Sequence, residues 1–221
     1  MEGNNIELNI IKSILTDFQM HESEDKVLNF YGGDRISIQL YNLYKYLRKM
    51  NSYEPSILIL GEHPHFAREA RTGIPFTSEH VIVKMNDRHG VLEKDVYKLI
   101  GIRKDSFSAL LWGQINKMSN PPLLWNLFPF YPHQENSPSN HRSLTIQEME
   151  WGNQLLLKIL EAYPSITKVF VIGNKLKYDH LNFPVDVDYL SPLEMGNPHA
   201  FVEDFNELLK ISQPIKISNK V

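Results

Sequence analysis

One short stretch of this chain carries more proton chemistry than its surroundings. Glu62, His63 and His65 put one carboxylate and two imidazoles into four residues, between Gly61 and Phe66. Side chains of these types exchange protons or hold a water near neutral pH, so the loop is a candidate for acid–base work. Gly61 permits a sharp turn and Pro64 stiffens the loop. The plainer alternative is a polar loop whose histidines bond to nearby backbone, and spacing alone leaves both open. His63-x-His65 can also hold a metal ion, with His133 or Glu62 completing the set. The chain has nine histidines, so one such spacing arises easily by chance, and we expect no metal site.

Other residues of the same kind lie downstream. Gly73 and Pro75 shape a turn that can project Phe76 onto a pocket wall, where an aromatic ring stacks on a planar base; otherwise Phe76 is a core plug. Asn126 closes a short apolar run. Its amide offers one donor and one acceptor to a base edge, or it caps a turn. The segment 137–143, with Arg142, offers hydroxyls, amides and a cation just ahead of a helix. Such a place suits a phosphate, or it is a solvated linker. Lys175 and Lys177 come after a strand and can meet a phosphate backbone, or form a solvated pair. Lys45, Arg48 and Lys49 read as the wet face of a helix.

Regular elements must hold these loops in place. Ile57–Leu60, Leu123–Trp125 and Val169–Ile172 are apolar on consecutive positions, the pattern of strands covered on both faces of a parallel sheet. A weaker strand covers Val185–Leu190. Ile36, Leu40, Leu43 and Leu47 recur at helical spacing, as do Phe107, Leu110, Leu111 and Ile115. A third stripe runs through Met149, Leu156, Ile159, Leu160 and Tyr163. It opens at Thr145 with Glu148 three residues on, a capping box, and stops before Pro164. A last helix opens with Asn197 and Pro198 and buries Phe201, Phe205 and Leu208. The segment 128–133, rich in aromatics and proline, reads as a rigid loop over the sheet edge. The alternation predicts an α/β protein, a three-layer α/β/α sandwich on a short, mainly parallel four-stranded sheet. Ligands of such folds bind beyond the carboxyl ends of the strands, where 61–66, 126–133, 173–175 and 191–193 all fall.

Composition narrows the field. With 221 residues, 42% hydrophobic, we expect one domain over 1–221, a core over about 27–211 and a loose tail over 212–221. The absence of cysteine removes thiol nucleophiles, thiolate zinc sites and cysteine-held clusters. The net charge of −3 is not that of a polycation that coats nucleic acid, so a nucleic-acid role needs a local face. No apolar run approaches membrane-spanning length. The acidic start, without an apolar signal region, leads us to expect a cytoplasmic protein and, by default, a monomer.

Taken in order from Val27 to Phe205, these segments resemble the uracil-DNA glycosylase superfamily. Leu60-Gly61-Glu62-His63-Pro64 is similar to its first motif, a strand followed by G-[QE]-x-P. Gly73-Ile74-Pro75-Phe76 resembles the element whose aromatic stacks on the flipped base, and Leu124-Trp125-Asn126 the strand end whose Asn reads its edge. Ser191-Pro192-Leu193 resembles the end of the second motif, H-P-S-P-L, which puts Tyr189 where the catalytic His stands. His63 occupies the place of an Asp in the best-known branch, and His65 that of a Gly in others. The resemblance implies hydrolysis of the N-glycosidic bond of uracil or a related deaminated base in DNA, as in base-excision repair, with base flipping and no cofactor. It implies a catalytic set of Glu62, His63 and Tyr189. The implied base-binding set is Gly61, His65, Phe76, Asn126 and Ser191; Lys175, Lys177 and Arg142, by their places along the chain, are the candidates for the DNA backbone. With Asp and His replaced, the alternative is a nucleobase- or DNA-binding protein on the same fold. A reading outside the family is a metal-dependent hydrolase using His63, His65 and His133.

Overall fold

The computed structural model describes residues 3–21, 26–66, 68–85, 87–93, 95–135, 137–173, 178, 181, 183–192 and 198–212. Four parallel strands form the central sheet: β2 (Ile57–Gly61), β3 (Leu123–Asn126), β6 (Lys168–Ile172) and β7 (Asp186–Leu190), in the order β3-β2-β6-β7. Leu58, Ile59, Leu60, Leu123, Leu124, Val169 and Val171 are wholly buried. Neighbours in sequence point to opposite faces of a sheet, so both faces are covered, as the continuous apolar runs require.

Helices supply that cover. α2 (Ile38–Asn51) starts where the Ser37 side chain accepts a hydrogen bond from Leu40 N–H. It buries Leu40, Leu43 and Leu47, and its Tyr46 hydroxyl accepts from Leu124 N–H of β3. Ile36, the first residue of that apolar stripe, precedes the helix and is exposed. α6 (Ile146–Ala162) opens on the expected capping box: Thr145 Oγ1 accepts from Glu148 N–H, and the Glu148 carboxylate accepts from Thr145 N–H. α5 (Ser106–Ile115) and α7 (His199–Ser212) meet through Phe107 and Phe201. Phe201, Phe205 and Leu208 are buried as expected, while the proposed cap Asn197 lies outside the described residues. Two short helices, α3 (Glu69–Thr72) and α4 (Glu79–Lys84), lie between β2 and α5.

Two parts of the architecture differ from the sequence expectation. α1 (Gly3–Met20) packs on α2 and α6. Its Ile11, Ile14, Leu15 and Phe18 join the same core, which therefore starts well before residue 27. The segments taken as a rigid loop and a linker are strands β4 (Tyr131–Gln134) and β5 (Ser137–His141). With β1 (Val27–Leu28) they form a three-stranded sheet in the order β1-β4-β5, antiparallel throughout. Prolines at 132 and 138 depress strand propensity. For β4, pairing with distant residues 27 and 28 supplies what local sequence does not.

Candidate nucleobase site at the carboxyl ends of β2 and β3

Gly61 and Asn126 are directly paired at the last rung of β2 and β3. The ladder continues past them, because Leu127 N–H donates to Gly61 O at 2.8 Å and Phe128 N–H donates to Glu62 O at 2.9 Å. The loop that carries Glu62 is therefore rigidly joined to the end of β3. Phe76 reaches the same point from another segment. A Cβ on Gly61 would overlap Phe76 Cζ and stand 2.8 Å from Asn126 Oδ1. The ring, the amide and the bare Gly61 backbone thus converge, and glycine is required because nothing larger fits. Asn126 is 3% exposed, and its Oδ1 has no hydrogen-bond partner among the described residues. A buried acceptor left unpaired costs about 1–3 kcal/mol. An N–H on a bound planar ligand would satisfy it.

Phe76 is held in an unusual backbone state. Its φ is +56°, the left-handed region that costs an ordinary residue about 1–2 kcal/mol. The turn before it needs Gly73, also left-handed at φ +76°, where a Cβ would collide with the Gln39 backbone. Thr72 Oγ1 donates to Thr77 O at 2.7 Å and accepts from Ile74 N–H at 3.2 Å, closing the turn around residues 73–76. Glu69 ties this turn to the acid–base loop. Its Oε1 accepts from Phe76 N–H at 2.7 Å and its Oε2 from His65 N–H at 2.8 Å. Behind the ring, Phe107 lies 5.7 Å from Phe76, centroid to centroid, and the Arg68 guanidinium sits 4.5 Å from the Phe107 centroid.

The two histidines of the loop have different surroundings. His63 Nδ1 is 2.9 Å from Pro64 O, and its ring lies 5.1 Å from that of His141 on β5. Burial pushes the His63 imidazole below its usual pKa, and the neighbouring His141 adds to this. The contact with Pro64 O and the charge of Glu62 act the other way, and burial outweighs them, so folding favours the neutral ring. His65 is exposed at the rim and also lowered, by partial burial and by Arg68. Phe66 is 42% exposed and lies 5.5 Å from the Tyr131 ring, so the β4–β5 hairpin packs against this loop.

The remaining expected residues are placed unevenly. Tyr189 lies on the edge strand β7, with β6 between it and β2, one residue short of the strand end. Ser191 comes just after that end, and its N–H donates to Asp204 of α7 at 2.7 Å. Lys175, Lys177 and Leu193 lie outside the described residues. Arg142 faces the α6 N-terminus, where both guanidinium nitrogens bind Glu148, at 2.7 and 2.8 Å. The cation expected to meet a phosphate is thus already engaged by a carboxylate. His133 does not join His63 and His65 around a metal; its Nδ1 faces Gln134 O. Among the described residues no three acidic or histidine side chains are grouped to hold an ion.

Sequence reasoning missed Glu69 and Tyr178. Glu69 is 1% exposed, yet no motif or spacing distinguishes it from a surface helix acid. Tyr178 is buried. Its phenol is pushed well above the usual range by burial, with the charges of Glu62 and Tyr189 adding to the effect, so it stays protonated beside Glu62. Nothing in the sequence around it signals this.

No protein-family model matches the chain, and no curated protein matches it. Among solved structures it is similar to the crystal structure of wild-type Pedobacter heparinus SMUG2. The TM-score is 0.65 at 13% identity, over 93% of this chain and 97% of that one. The likeness shows the fold: the chain shares the α/β/α architecture of that structure, as the alternation of its elements predicts. Among the described residues no helix is long and apolar enough to cross a membrane.

Proposed function

We propose that this protein is a DNA glycosylase that hydrolyses the N-glycosidic bond of uracil or a related deaminated base. One observation carries the reading. In this fold, a stacking ring and a buried, unpartnered amide oxygen meet over a bare glycine at the carboxyl ends of the two central strands. A flipped base slides against Phe76, and the imide N–H of uracil donates to Asn126 Oδ1. Extrusion from the stack costs a few kcal/mol, which these contacts offset.

Chemistry then proceeds beside Glu62. The bond between C1′ and the base nitrogen breaks, and the electron pair leaves with the base. Water adds to the oxocarbenium-like C1′ and passes a proton to the Glu62 carboxylate, and the released base anion takes up a proton in turn. Glu62 orients that water and faces the developing positive charge. Folding favours the neutral His63 ring, which places no cation against the sugar. DNA is the partner.

The test is base release from labelled oligonucleotides carrying uracil, hypoxanthine or xanthine, single-stranded and paired, with alkali to reveal abasic sites. Release is expected from at least one of them, and Glu62→Gln should lose turnover while retaining binding. Intact bases in every substrate would overturn the reading. Salt-sensitive binding without release would instead favour a nucleobase-binding protein on the same fold.

A further inference from the structure

The charged groups nearest the stacking ring lie behind it, and base excision as proposed does not use them. Glu69 is almost wholly buried, and both of its oxygens are engaged with backbone. One holds His65 N–H, in the loop that carries Glu62. The other holds Phe76 N–H, in the turn that carries the ring. Its counter-ion is Arg68, with Nε at 3.4 Å, and Arg68 is in turn 3.4 Å from Asp105. Asp105 caps α5 by accepting from Ser108 N–H at 2.7 Å, and α5 carries the Phe107 ring on which both Arg68 and Phe76 lie.

A buried carboxylate is costly, and a well-packed apolar residue usually serves stability as well. Here the carboxylate does what an apolar side chain cannot. Two acceptors on one rigid group join amides four residues before it and seven after it, and they hold the second in a left-handed conformation. We infer that Glu69 is a positioning residue, which with Arg68 sets the Phe76 ring against the Glu62 loop so that both address the same base. The inference rests on the glycosylase reading for its consequence, but not for its geometry.

Two arms test it separately. Glu69→Gln is isosteric but turns one acceptor into a donor facing an N–H. Glu69→Asp keeps the charge and is one methylene too short to hold both amides. In either variant, hydrogen exchange at the amides of His65 or Phe76 should accelerate about 10–100-fold, the loss expected for a hydrogen bond to a charged group, while α6 amides keep their protection. Unchanged exchange at both amides would overturn the clamp, whatever the activity. In the second arm, single-turnover base release is measured for Glu69→Gln, Phe76→Ala and the double variant. If Glu69 acts through the ring, its effect of about 10-fold or more should shrink to within about 2-fold once the ring is gone. Full additivity with an active wild type would overturn the positioning role. A wild type that releases no base would instead sink the glycosylase reading, and the exchange arm would still decide the clamp.

Discussion

Replacing Gly61 by alanine puts a methyl where the ring and the amide meet. The new Cβ would overlap Phe76 Cζ and stand 2.8 Å from Asn126 Oδ1 and 2.9 Å from Phe76 Cε1. Neither neighbour gives easily. Phe76 is tethered by Glu69 and backed by Phe107, and Asn126 is paired in register with Gly61 itself. The overpacking should cost about 1–3 kcal/mol of stability. At roughly 2–4 °C per kcal/mol for a domain of this size, Tm should fall by about 2–12 °C. The functional loss should be larger. Stacking contributes about 1–3 kcal/mol and the amide contact a similar amount, so displacing both removes about 2–6 kcal/mol. At 1.4 kcal/mol per tenfold, kcat/KM for uracil release should drop about 30-fold to about 10⁴-fold. The assay is steady-state release from a single-stranded uracil oligonucleotide below the Tm of the variant, with folding checked by circular dichroism. A folded Gly61→Ala protein with kcat/KM within about 3-fold of wild type would refute the placement of the pocket.

Other predictions are more local. Gly113→Ala is the matched control: inside α5, its Cβ would meet, among the described residues, Met85 Cε at 3.7 Å, so helix propensity should stabilise the protein by about 0.5–1 kcal/mol, read as a raised Tm with unchanged activity. Thr145→Ala removes the α6 cap and should cost about 1 kcal/mol in denaturant unfolding. Arg142→Met should lower stability through the lost Glu148 pair while leaving the salt dependence of DNA binding unchanged; a flatter salt slope would return Arg142 to the DNA backbone. His63 has a folded pKa below its unfolded value near 6.5. The unfolded chain thus binds the proton more readily, and stability should fall as pH drops from 6.5 towards the folded pKa. Unfolding tracked across pH 7 to 5 should show a slope that His63→Asn reduces.

Much of this protein was legible because its signals are local. Apolar runs long enough to be covered on both faces marked the central strands, and Thr145 with Glu148 marked the start of α6. α1 could have been read from Ile11, Ile14, Leu15 and Phe18, whose spacing is helical. The β4–β5 hairpin could not, because Pro132 and Pro138 argue against strands; β4 is held by Val27 and Leu28, and β5 by β4 in turn. The candidate site divides the same way. Gly61 and Asn126 stood out by type and by their place at strand ends, and Phe76 by the turn that Gly73 and Pro75 shape before it. They are far apart along the chain, and only the sheet register brings Gly61 and Asn126 together.

Residue types and short-range periodicity determined the chemical inventory and the order of the elements, since both depend on neighbours along the chain. The roles of individual side chains were decided in three dimensions. Burial and His141 favour the neutral form of His63, and Glu148 claims Arg142. A carboxylate with no sequence signature becomes the tie between two loops. Desolvation, close packing and hydrogen-bond partnership are set by atoms distant in sequence, so only the folded chain determines them.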